Sequence, residues 1–161
     1  MSPLLADPLV WARALHVVAV VHWIGGVWFV TVVVLPAIAR FADPAEAVAL
    51  FERVENRFAL QARISTALAG AAGFWLTWAL QAFDRFLDAR FWWMHAMVAL
   101  WAVFTLVLFV LEPLVLHRWF AERAARDAPG TLRLVLRLHR VLATVALVVV
   151  AAAVLGAHGG L

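Results

Sequence analysis

Six histidines, His16, His22, His95, His117, His139 and His158, are the residues in this chain best able to do chemistry. Imidazole is a metal ligand and a proton carrier near neutral pH. Inside an apolar segment an ionisable side chain is costly enough to demand a partner or a purpose. Counting 1.5 Å per helical residue, His16 lies about 10 Å below the start of its apolar segment and His95 about 6 Å below the same surface on another. Two imidazoles meeting at one level between two helices form a bis-histidine haem site. The neighbours agree with that expectation. Ala99, Ala102 and Thr105 share the His95 side of their helix and leave room for a flat macrocycle, and Ala12 and Ala19 flank His16. Arg13 and Arg90 stand at the outer edge, where haem propionates call for cations.

The remaining candidates are weaker. His22 lies about 240° around the helix from His16 and cannot share its ligand plane. It pairs more naturally with His139, which heads a stripe of small residues, Ala143, Ala146, Ala153 and Ala157, suited to close helix packing or to a second cofactor. His117 and His158 fall at segment ends and read as interfacial. Met94 and Met97 bracket His95, a soft set for Cu(I). Glu112-Pro113 places a carboxylate near a segment end, where pairing with an arginine is expected. Arg133, Arg137 and Arg140 recur at helical spacing and read as a face for lipid phosphate.

Positioning these side chains falls to apolar helices. The chain has 161 residues, 66% hydrophobic and 14% charged, with mean hydropathy +0.95, which excludes a water-soluble globule. Residues 14–39, 64–83, 91–111 and 141–161 carry no Asp, Glu or Arg and each is long enough to cross a bilayer. The expected fold is all-α, a single integral-membrane four-helix domain with spans at about 9–41, 60–83, 91–117 and 132–158. An amphipathic lead-in over 44–59 places Val48, Phe51, Val54 and Phe58 on one side. Asp7-Pro8 and Asp43-Pro44 open helices, with Glu46 set for a capping box. Pro36 kinks the end of the first helix. The second helix ends at Phe83, and 84–90 form a turn. Ala128-Pro129-Gly130 breaks the chain, and Thr131 caps the fourth helix.

There is no cysteine, tyrosine or lysine, so thiolate, Fe–S, disulfide and lysine Schiff-base chemistry are excluded. All thirteen basic residues are arginines. Only Arg13, Arg85 and Arg90 lie at the end shared by the termini, and the positive-inside rule then puts both termini on the non-cytoplasmic side. Trp11, Trp92, Trp93 and Trp119 fall at the two interfaces. The start lacks the basic region of a secretory signal and reads as leading into a retained span. Multi-pass insertion in a bacterial-type inner (plasma) membrane follows, with the bilayer, and not nucleic acid, as counterpart of the basic charge.

Ala14-Leu15-His16-Val17-Val18, followed by His22-Trp23-Ile24-Gly25-Gly26, resembles the first helix of the copper resistance protein D (CopD) superfamily. It is also similar to HemJ-type protoporphyrinogen oxidase, a small haem-b membrane protein. Val54-Glu55-Asn56-Arg57-Phe58 resembles the Met-Glu-x-Arg-Leu stretch of HemJ, and Trp93-Met94-His95 its third-helix Leu-His. HemJ carries a lysine soon after that histidine, where this chain has Ala96-Met97. The resemblance implies haem contact at His16 and His95 and a part for Glu55 and Arg57.

Three functions remain open on the sequence. One is a haem-b protein, binding one haem or two, with a redox or electron-transfer role toward a quinone or periplasmic partner, porphyrinogen oxidation being its narrower form. The second is a CopD-like copper-handling protein. The third is a non-catalytic subunit of a larger membrane complex, or a homo-oligomer, whose histidines serve packing.

Overall fold

The computed structural model describes residues 7–41 and 43–160. Residues 1–6, on which the reading of the chain's start rests, lie outside them. The first helix begins where the sequence supplies an acceptor and a proline. Asp7 Oδ1 accepts from the Leu9 N–H at 2.8 Å and Pro8 takes the first turn, where its missing donor costs nothing. Helix α1 runs over Pro8–Phe29, a π segment Val30–Val34 and Leu35–Phe41. Helix α2 is Pro44–Ala79, and Asp43 precedes it without a side-chain cap bond. Helix α3 comprises Trp92–Leu106, a π segment Val107–Leu116 and His117–Arg126, and helix α4 is Ala128–Ala157.

Several local expectations need correction. Ala128-Pro129-Gly130 is the first turn of α4, because Asp127 Oδ1 accepts from the Gly130 N–H at 2.8 Å. Thr131 instead donates back to the Asp127 carbonyl at 2.7 Å. Pro36 and Pro113 each accompany a π segment. Proline clashes with the carbonyl four residues back, and a π turn widens the helix around that clash. Helix α2 stops at Ala79, short of Phe83, through Gln81 in the left-handed region at φ 52°. Glycine normally marks such a stop, and none stands there. Two 3₁₀ turns, Phe83–Leu87 and Ala89–Phe91, lead into α3.

Pro8–Arg40, Ala89–Arg126 and Ala128–Ala157 are long and apolar enough to cross a membrane. Helix α2 carries Arg63, Ser65, Thr66 and several alanines and glycines in the corresponding stretch, which lowers its apolarity. It is also the most sheltered helix, lying along α1 and touching both α3 and α4. The segment 44–59 continues into α2 without a break. Its Phe51 is fully buried against Leu35, Ile38, Leu132 and Val135. Helices α1 and α3 face each other across the long diagonal, where the rings of Trp23 and Phe104 meet edge-on at 4.9 Å.

Glycines seat rings at the seams between helices. Gly26 receives Phe58, Gly70 receives Trp101, Gly73 receives His16 and Gly156 receives Trp93. Small residues at such contacts let helices approach closely, which supplies the packing that lipid cannot drive by hydrophobicity. Trp93 is therefore buried rather than part of an aromatic belt, whereas Trp11, Trp92 and Trp119 are exposed.

Candidate functional site

His16 sits on the face of α1 that also carries Ala19, Trp23, Val27 and Val30, all buried. Its ring lies against α2, where Nδ1–H donates to the Ala69 carbonyl at 2.9 Å. A carbonyl can only accept, so the tautomer is fixed and Nε2 keeps its lone pair. The approach depends on Gly73, since a Cβ there would stand 3.0 Å from His16 Cε1.

His95 lies on the opposite kind of face. His95, Val98, Ala99, Ala102 and Leu106 are all exposed, so this stripe of α3 is turned out of the bundle. The imidazole reaches toward the connecting turn, where its Nε2 bonds the Phe86 carbonyl at 3.0 Å and its ring meets Phe86 edge-on at 5.3 Å. The two imidazoles expected to share an iron are thus engaged with different elements, one inside the bundle and one outside it. Arg90 is also engaged, donating from Nε and Nη2 to Asp88 Oδ2 at 2.9 and 2.6 Å. Arg13 is exposed one turn before His16.

His22 is exposed, whereas His139 is half-buried, bonded to the Val135 carbonyl of its own helix at 3.1 Å and edge-on to Phe51. His158 bonds the Val154 carbonyl at 2.8 Å, and His117 is exposed. Met94 is buried with Trp93 and Ala152, away from the exposed His95 ring. Among the described residues no group of three or more His, Asp or Glu side chains is placed to hold a metal ion.

The arginine expected to pair with Glu112 is Arg63, and around that pair a polar seam runs between α2 and α3. Arg63 Nη2 pairs with Glu112 Oε2 at 3.3 Å, and Arg63 Nε donates to the Leu108 carbonyl at 2.9 Å. In the π segment that carbonyl stands five residues before Pro113, which has no N–H to offer it. One turn along α2, the Thr66 carbonyl accepts from Trp101 Nε1–H at 2.9 Å. The available signals were Arg63 at the edge of an uncharged stretch, the Gly70/Gly73 spacing, and a proline that frees a carbonyl.

Glu55 lies half-buried at the arginine-rich end, beside an exposed Arg57. Burial, reinforced by the charges of Glu112 and Glu52, pushes its carboxyl up to about 7. Below pH 4.5 the group is neutral whether the chain is folded or not. Between pH 4.5 and 7 the unfolded chain ionises first, so stability falls across that window by on the order of 3 kcal/mol and levels off above it. Glu55→Gln should flatten that slope and leave the protein more stable than the parent at pH 8, read as thermal midpoints across pH 4–8. Equal slopes for the two proteins would remove Glu55 as the cause.

Fold and site together define a multi-pass α-helical membrane bundle with a histidine anchored across the α1–α2 seam on a backbone carbonyl and an ion pair across the α2–α3 seam. No protein-family model, no curated protein and no solved structure matches the chain.

Proposed function

We propose that the chain is a haem-b-binding, redox-active protein of a bacterial-type inner membrane, with both termini outside the cytoplasm and His16 as the axial ligand. The reading rests on one observation: His16 is held by its Nδ1–H on the Ala69 carbonyl, with Nε2 left for coordination. Metal-bound histidines characteristically donate their second nitrogen to such an acceptor. Haem would supply one-electron chemistry at that nitrogen, and the protein's own part is to orient the ring, exclude water and set the local polarity. His95 bonds Phe86 on an exposed face, and this reading assigns it no axial role. The likeness to CopD and HemJ at His16 and at Trp23–Gly26 supports the same reading, and a quinone or a periplasmic protein is the matching electron partner.

The experiment is haem titration of the purified protein in nanodiscs, followed by absorption in both redox states. His16→Ala should abolish the reduced b-type bands while His95→Ala keeps them. Retention in His16→Ala, or loss in His95→Ala alone, would overturn the assignment.

A second reading has its own observation. His16, His95, His139 and His158 each bond a backbone carbonyl, which is what packing histidines do. A subunit of a larger membrane complex would take up no haem and would leave mild detergent with a stable partner. The copper reading needs further ligands beside His95, and Met94 is buried away from that ring.

A further inference from the structure

Four of the hydroxyls in this bundle follow one habit, and two buried ones depart from it. Thr31, Ser65, Thr77 and Thr131 donate to the carbonyl four residues earlier on their own helices. Thr66 and Thr105 do not, and their hydroxyls are buried without a hydrogen-bond partner. The indole N–H of Trp23 is a third such group. Thr66 is 0% and Trp23 3% exposed, so neither reaches bulk solvent. A buried polar atom left unpaired in this way forfeits the hydrogen bonds it makes in water.

These three groups come from three helices and share one depth. At 1.5 Å per residue, Trp23, Thr66 and Thr105 each lie about 20 Å from the helix ends at Pro8, Ala79 and Trp92. Trp101 ties two of them together, since it donates to the Thr66 carbonyl and stands one turn before Thr105 on α3. Trp23 shares its buried cluster with Ala19, Ala69, Ala143 and Ala146 and with the ring of Phe104, side chains that carry no oxygen or nitrogen acceptor. One turn toward the arginine-rich end lie Arg63, the Leu108 carbonyl and Glu112. One turn the other way lies the Ala69 carbonyl that holds His16.

We propose that this mid-bundle level binds water, as a small buried cluster that accepts from Trp23 Nε1–H and bonds the hydroxyls of Thr66 and Thr105. Water suits the donor set, because Trp23 can only donate, each hydroxyl can do either, and a buried water typically makes about three such bonds. The cluster makes the polar seam continuous from the Arg63–Glu112 pair to His16. Its presence does not depend on haem. A carbonyl oxygen on a lipid-soluble molecule offers Trp23 the same acceptor, and the test separates the two.

Water-edited solid-state NMR on the full-length protein in liposomes reads the site directly. The indole signal of Trp23 is identified by its disappearance in Trp23→Phe. The expected result is early magnetisation transfer from water to the Trp23 indole N–H, ahead of transfer to the buried Ala146 methyl. In Thr66→Val/Thr105→Val that early transfer should be lost, while the Trp101 signal stays, because its acceptor is the Thr66 backbone. Transfer to Trp23 no earlier than to Ala146 overturns the proposal, and so does early transfer that survives the double substitution. A Trp23 signal that receives nothing from water but shifts on delipidation assigns the site to a carbonyl ligand and also overturns it. The parent protein alone can return the overturning result if the double variant fails to fold.

Discussion

Glu112→Gln should destabilise the protein by about 2 kcal/mol, while Arg63→Met/Glu112→Leu should recover most of that loss. Removing one partner of a fully buried pair costs about 3–5 kcal/mol because a charge is stranded, whereas replacing both with apolar groups of similar volume is often neutral. The figure is set below that range because the side chains of Arg63 and Glu112 keep 33% and 21% of their exposure. Arg63 is held at two points, by Glu112 and by the Leu108 carbonyl beside Pro113, so it stays at this depth after Glu112 is neutralised. The guanidinium then keeps only neutral acceptors, the Leu108 carbonyl and the amide oxygen that Glu112→Gln leaves in place, with no countercharge for its five N–H donors. The measurement is the unfolding midpoint of the three proteins in nanodiscs. A double variant no more stable than Glu112→Gln would mean that pairing is not what the carboxylate contributes.

Gly70→Ala should cost about 1–3 kcal/mol, the range for forcing a methyl into a filled interior. A Cβ at Gly70 would stand 2.5 Å from Trp101 Nε1, which is the atom that donates to the Thr66 carbonyl. The clash and the hydrogen bond therefore cannot both be accommodated. Gly25→Ala supplies the internal control, since nothing lies within 4 Å of its Cβ. There the alanine should be neutral or slightly stabilising through helix propensity. Equal midpoints for Gly70→Ala and Gly25→Ala would show that the Trp101 seat is not tight. A blue-shifted or dynamic Trp101 signal in Gly70→Ala would locate the strain.

Much of this architecture is legible in the residues. Apolar stretches longer than a bilayer's core cannot be left in water, and Asp7-Pro8 opens a helix by satisfying one orphan N–H and removing another. What escaped were features fixed by contact. The stop of α2 rests on Gln81, a residue with no special preference for the left-handed region. The widened turns near Pro36 and Pro113 show that a proline's clash can be absorbed over a whole π segment of several residues. Trp93 has the composition of a belt residue, but Gly156 gives it a seat inside.

The histidines mark the boundary most sharply. Their types and depths come from the chain itself, which determines four helices and puts His16 and His95 near the same end. The rotation of each helix about its axis does not come from the chain. In water the buried side of a helix is its apolar side, but in lipid the outward stripe of α3, with Val98, Ala99, Ala102 and Leu106, is as apolar as the inward one. Periodicity therefore cannot tell them apart. Only the packing of Trp93 on Gly156 and of Trp101 on Gly70 turns α3 so that His95 faces out, while Gly73 draws His16 in.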